Sequence, residues 1–203
     1  MAKRGIFFLV AGPAGVGKTT LLKQLLEGEK DLVKAVSVTT RKPRPGEVDG
    51  ISYHFWNDEQ FGEAAQRGEF MEFARVHEHF YGTQSSFVEE KLRAGIDVVK
   101  DIDVQGVDQI RRLKQFAYPK AVTIFILPPS KDELHARLKG RRSEDAGSLA
   151  LRIAAADHEM ERAPDYDYWV VNDSVEAASA KLKAIRLAEH CRNRGGSDGN
   201  EGT

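Results

Sequence analysis

The 203-residue sequence predicts an α/β fold: a three-layer core with a parallel sheet covered by helices, an inserted mixed-β subdomain and a mobile lid. Three observations lead there. Short apolar runs recur along the chain, each followed by a stretch with helical spacing, which is the alternation of a parallel sheet with crossover helices. Between about 37 and 90 that alternation breaks. Late in the chain a polar stretch, GRRSEDAGS at 140–148, separates two helix-like segments.

Residues 5–11 (GIFFLVA) are continuously apolar, as a strand buried on both faces must be. A glycine-rich turn follows, and 18–26 then places Leu21, Leu22, Leu25 and Leu26 at helical spacing. Residues 97–103 (DVVKDID) and 121–127 (AVTIFIL) are the next buried strands, followed by helices over 107–114 and 131–139. A fourth strand, 168–171 (YWVV), leads into a helix over 175–189. The core is therefore expected over 1–36 and 97–194. Within 37–90, Pro43, Pro45, Gly46 and Gly50 make a loop, while 52–56 and 70–76 read as short, half-exposed strands. The lid is expected over about 138–152, and GGSDGNEGT at 195–203 buries nothing and is expected to be a disordered tail.

Composition narrows the classes of function. An apolar fraction of 41% suffices for a core, and a formal net charge of −1 sets up no global field that would draw nucleic acid or an anionic membrane. No stretch approaches the roughly 20 apolar residues of a membrane span, and the apolar run at 5–11 is too short for a signal peptide. With Cys191 alone, neither an internal disulfide nor a cysteine-based zinc site can form, which fits a cytoplasmic protein. His77 and His79 share a strand face without an identifiable third ligand, so metal binding there is discounted. Monomer and homo-oligomer are equally open.

The first chemistry-bearing motif is Gly12-Pro13-Ala14-Gly15-Val16-Gly17-Lys18-Thr19, the pattern G-x-x-x-x-G-K-[ST]. Its glycines let the backbone curl so that successive N–H groups meet phosphate oxygens, and the helix beyond adds the positive end of its dipole. The motif predicts the core of a P-loop NTPase that binds a nucleoside triphosphate through Gly12 to Thr19 and the adjacent Thr20. Lys18 would neutralise the β and γ phosphates, and Thr19 would place its hydroxyl on Mg²⁺.

Further residues suggest a second phosphate-bearing ligand. Arg41 and Arg44 sit three apart in a proline-bounded loop and can fork onto one phosphate. In strand alternation Glu72 shares a face with Phe70, Ala74 and Val76, and a carboxylate on an apolar face requires a donor partner. Tyr81 and Thr83 supply hydroxyls around Gly82. Asp101 and Asp103 lie two apart at a strand end, so their side chains are expected on one face. Arg137 and Arg141 are four apart on a helix entering the lid, and Arg152 lies beyond it.

The runs SVTTRKPRPGEVDGISYHF, GEFMEFARVHEHFYGT and DIDVQG resemble guanylate kinases, the enzymes that phosphorylate GMP with ATP, and the resemblance spans roughly residues 5–190. It implies that 37–90 is a GMP-binding subdomain. Ser37, Glu72 and Thr83 would read the guanine base, while Arg41, Arg44, Tyr53 and Tyr81 would hold the GMP phosphate. Asp101 would contact GMP, and Asp101 and Asp103, both counted in the GMP site, would lie near the Mg²⁺-bound phosphates; Arg137, Arg141 and Arg152 would be the lid arginines that stabilise the transferring group. The substrates implied are ATP and GMP, with dGMP as a further acceptor. Three positions depart from the usual pattern: Arg142-Ser143 after Arg141, Ala14 in the phosphate loop, and Lys100 where the strand is ordinarily apolar. A catalytically inert scaffold module of the same fold is the rival reading; Lys18, Thr19, Arg137, Arg141 and Arg152 oppose it.

Overall fold

The computed structural model describes residues 4–76, 78–113, 121–140 and 146–192. In chain order the elements are β1 (Phe7–Ala11), α1 (Lys18–Leu26), β2 (Leu32–Lys34), β3 (Val38–Thr39), β4 (His54–Phe55), α2 (Asp58–Gln66), β5 (Phe70–Val76), β6 (His79–Gln84) and α3 (Ser85–Arg93). There follow β7 (Asp97–Asp101), α4 (Val104–Arg112), β8 (Val122–Leu127), α5 (Lys131–Lys139), α6 (Ala146–Glu161), a 3₁₀ turn (Ala163–Asp165), β9 (Tyr168–Val171) and α7 (Val175–Cys191).

Five strands form one sheet in the order β2-β7-β1-β8-β9, and every pairing in it is parallel. The apolar run of β1 divides by alternation. Phe8 and Val10 face one layer with Leu21, Leu22 and Leu25 of α1 and Leu182 of α7, whereas Phe7, Leu9 and Ala11 face the other with Val88 and Leu92 of α3 and Val107 of α4. Each such side chain taken fully out of water contributes about 1.5–3 kcal/mol, which is why a strand apolar on both faces occupies the sheet centre. The expected three-layer core is present. At the base of β7, buried Asp97 ties the layers together: it accepts from Ile6 N at 2.7 Å and from Arg186 Nε at 2.6 Å, and lies 2.7 Å from His190 Nε2.

A second sheet, β4-β3-β6-β5, is mixed: β3 and β4 pair in parallel, β6 pairs antiparallel with β3 and β5. It has its own aromatic cluster, in which Phe61 of α2 stacks on Phe70 at 4.4 Å and on Phe80 at 5.3 Å. α2 starts at a capping box in which Asn57 and Gln60 each accept the other's backbone N–H.

Several boundaries differ from expectation for identifiable reasons. β7 ends at Asp101, and Asp103 is the N-cap of α4, its carboxylate accepting Gly106 N–H at 2.7 Å; Asp101 and Asp103 therefore do not alternate along one strand. A register shift between Phe70 and Glu72 breaks simple alternation in β5, sending Phe70 into the aromatic cluster rather than onto the face of Glu72. The strand at 52–56 shrinks to His54–Phe55, and β2, β3, β6, α2 and α3 were not anticipated. Ala146 to Ser148, expected within a flexible stretch, already belong to α6. His77, Arg141 with the rest of 141–145, and the tail at 195–203 lie outside the described residues.

Candidate active site

β1 sits at the centre of the sheet, between β7 and β8, so its C-terminal end opens at the point where the chain's crossovers diverge. A cleft of about 450 Å³ lies there, lined by Gly12, Ala14 and Lys18 on one side, by Ser37, Tyr53, Glu72 and Tyr81 on the other, and by Lys100, Asp101 and Asp103 between them.

The phosphate loop is held in a shape that needs its glycines. At Gly12, φ is +146°, and a Cβ would lie 2.5 Å from the Ile126 carbonyl oxygen; at Gly17, φ is +100°, and a Cβ would lie 2.6 Å from Asn172 Nδ2. Loop carbonyls are satisfied by side-chain donors. Lys18 Nζ donates to Gly12 O at 2.6 Å and Pro13 O at 3.3 Å, while Val16 O accepts from Asn172 Nδ2 at 2.7 Å and Arg137 Nη1 at 3.5 Å. Thr19 and Thr20 are exposed in the first turn of α1. Two residues here escaped the sequence reading. Asn172 follows β9 and is buried against the loop. Glu159 of α6 also lines the cleft; burial raises its pKa, opposed by the Lys18 ammonium and the Ala14 backbone N–H. Neither lies in a motif, so only the fold could bring them in.

Across the cleft, Arg41, Tyr53 and Tyr81 converge. Arg41 Nε donates to Tyr81 Oη at 3.3 Å, its guanidinium lies 5.4 Å from the Tyr53 ring centroid, and the two tyrosine rings meet edge-on at 5.9 Å. Arg44 joins them through its backbone, giving its N–H to Glu47 Oε2 at 2.7 Å and accepting Glu47 N–H at 3.0 Å, while its side chain is exposed. Glu47 was overlooked, although it lies in the same run. Its other oxygen pairs with Arg41 Nη2 at 2.8 Å, and that hydrogen bond raises the guanidinium pKa further.

Deeper in, the β5–β6 register sets Glu72 opposite Thr83, whose hydroxyl donates to Glu72 Oε1. Both are buried, at 9% and 1% exposure. Desolvation raises the Glu72 pKa, with the Lys100 ammonium and the Thr83 hydrogen bond opposing it. Lys100, next to the buried Val98 and Val99 of β7, reaches the cleft wall with Nζ and donates to Ser37 Oγ. Burial pushes the Lys100 pKa down to about 8, and the carboxylates of Glu72, Asp101 and Asp103 resist the shift. Of the three arginines expected at the lid, Arg137 pairs with Glu133 beside the phosphate loop, Arg152 is half-buried on α6, and Arg141 is outside the described residues.

The geometry is a phosphate loop facing a buried polar pocket across one cleft, and comparison with known proteins agrees. The family profile described as guanylate kinase matches residues 5–189. Proteins named guanylate kinase from Caldanaerobacter subterraneus subsp. tengcongensis and Methylobacillus flagellatus are each 43% identical, over 94% and 93% of this chain and 90% and 92% of their own. The crystal structure of guanylate kinase from Anaplasma phagocytophilum is 30% identical, with a TM-score of 0.74 over 94% of this chain and 88% of that one. The chain belongs to the guanylate kinase family.

Proposed function

We propose that this protein transfers the γ-phosphoryl group of ATP to GMP, and equally to dGMP, giving ADP and the nucleoside diphosphate in purine nucleotide metabolism of the cytoplasm. The observation that carries this reading is that one cleft joins Lys18 and Gly12 of the phosphate loop to Glu72 and Ser37 of the small sheet. No helix among the described residues is long and apolar enough to cross a membrane.

The donor half is Gly12 to Thr20. The positive φ at Gly12 and Gly17, with Ile126 and Asn172 pressed against them, holds the loop in a curl that only glycine allows, and that curl suits a triphosphate. Thr19, exposed beside Lys18, would hold Mg²⁺ together with the phosphates; the ion supplies charge neutralisation at the β and γ oxygens. The acceptor half is the small sheet of 37–90. Arg41, Arg44, Tyr53 and Tyr81 hold the GMP phosphate. Glu72, with Thr83, accepts guanine N1–H and N2–H₂, which sit side by side; adenine offers an acceptor at N1 and leaves the buried carboxylate unpaired. Asp101 and Asp103 line the cleft between the halves.

The attacking atom is a phosphate oxygen, already anionic near neutral pH, so no general base is needed. Catalysis is positioning and charge stabilisation. Lys18, Arg41, Arg137, Arg141 and Arg152 supply the positive charge, Arg137 from the helix that enters the lid of about 138–152 and the last two from the lid itself. Coupled detection of ADP with GMP, dGMP, AMP, UMP and CMP as acceptors tests the reading. Turnover with GMP and dGMP is expected; no turnover with any acceptor would leave an inert scaffold.

A further inference from the structure

Lys100 occupies an unusual place. Its strand neighbours Val98 and Val99 are wholly buried, and Lys100 itself is 3% exposed, yet its ammonium reaches the acceptor cleft and donates to Ser37 Oγ. Around it stand Glu72 of β5, Asp101 of its own strand, Asp103 at the start of α4 and Lys34 of β2. A buried ammonium has three N–H donors and no acceptor, so those left after Ser37 require partners in the cleft or among these carboxylates.

The bond to Ser37 also sets a polarity. A hydroxyl that accepts from an ammonium must aim its own proton elsewhere, and Ser37 lines the cleft. The pocket therefore presents donors, the Lys100 ammonium and the Ser37 hydroxyl, beside an acceptor, the Glu72 carboxylate. A 6-oxo purine carries the complementary order on its edge: an acceptor at O6, then a donor at N1–H. A 6-amino purine carries the reverse.

We propose that Lys100 is a specificity-determining residue of this protein: its ammonium, with the Ser37 hydroxyl that it orients, forms the donor half of the base pocket, which accepts the 6-oxo group and rejects a 6-amino group. The assignment rests on GMP as the acceptor and adds a residue to it.

The test is calorimetric binding of GMP and of its 6-thio analogue, which keeps N1–H and the 2-amino group but replaces the oxygen with a poor acceptor. Wild type, Lys100→Met, Ser37→Ala and the double variant are compared. Lys100→Met should weaken GMP roughly 10- to 100-fold, the range for a hydrogen bond to a charged group, and should weaken the thio analogue far less. The preference for oxygen over sulfur then collapses toward one, while ATP affinity is retained. In the double variant the loss should be smaller than the product of the single losses, because Lys100 acts partly through Ser37. Equal weakening of both ligands, or unchanged GMP affinity, overturns the proposal. Ser37 is half-buried and its truncation removes one oxygen atom, so Ser37→Ala decides the matter even if Lys100→Met does not fold: an unchanged preference there overturns it too. Wild-type turnover of GMP tests the acceptor reading separately, since it does not depend on which residue meets the 6-position.

Discussion

Arg41 and Glu47 form a 2.8 Å ion pair, and the second carboxylate oxygen of Glu47 holds the backbone N–H of Arg44 at 2.7 Å. One acid thus orders both basic positions of the proline-bounded loop. Glu47→Ala should free the guanidinium and the loop, and the ordering cost then falls on GMP binding. The GMP KM is expected to rise about three- to tenfold with the ATP KM unchanged. Steady-state titration of each substrate against saturating partner checks this; a raised ATP KM would place Glu47 elsewhere in the mechanism.

Asn172 acts on the donor side in the same way. Its Nδ2 donates to Val16 O at 2.7 Å and fills the space beside Gly17 that a side chain would need. Asn172→Ala leaves a loop carbonyl without its buried donor and should destabilise the fold by about 1–3 kcal/mol. The ATP KM should rise more than the GMP KM. Thermal denaturation and initial rates together separate this from a purely structural effect, which would lower Tm and leave both KM values alone.

How far the sequence leads depends on whether a signal is local. The phosphate loop and β1 were legible because continuous apolarity and a fixed glycine spacing each have one structural solution. Glu72 was legible as a buried carboxylate facing with Ala74 and Val76, and only Phe70, beyond the shift at Phe70/Glu72, leaves that face. Asp103 looked like a strand residue because nothing in DVVKDID marks where the strand stops; the N-cap became visible only with α4 in place. The capping box at Asn57 and Gln60 was available in the sequence and was missed. Asn172 and Glu159 are 156 and 143 residues from Val16, too far for any spacing rule, as is the reach of Lys100 across 63 residues to Ser37.

Lys100 makes stability depend on pH. Its ammonium titrates at 10.5 when unperturbed and at about 8 in the fold. Between these values the unfolded chain holds the extra proton, so folding stability rises with pH over that window; below it, burial of the charge costs roughly 3 kcal/mol. Urea denaturation at pH 7.5 and 9.5 should show wild type gaining stability relative to Lys100→Met as pH rises. Parallel behaviour of the two proteins would contradict the shift.

Asp97 is the acceptor on which β1, β7 and α7 depend, through Ile6, Arg186 and His190. Asp97→Ala leaves the Ile6 N–H without its buried acceptor, while Arg186 keeps Glu29 and Asp31; it should cost about 1–3 kcal/mol, a fall in Tm of roughly 5 °C. Base selectivity at low temperature should be unaffected, because the clamp lies at the opposite end of β7 from Asp101 and the cleft. A change in selectivity there would mean that the clamp positions the pocket as well as the fold.

The central claim is that a buried carboxylate chooses the base of the acceptor. The most direct test is the ratio of kcat/KM for GMP over AMP, measured with ATP as donor in wild type and in Glu72→Gln. Wild type should favour GMP by about 10⁴ or more, the discrimination expected when the wrong ligand leaves buried polar groups unpaired. In Glu72→Gln that ratio should fall by at least about 10² through loss of GMP turnover, with ATP affinity intact. An unchanged ratio in Glu72→Gln would contradict the account.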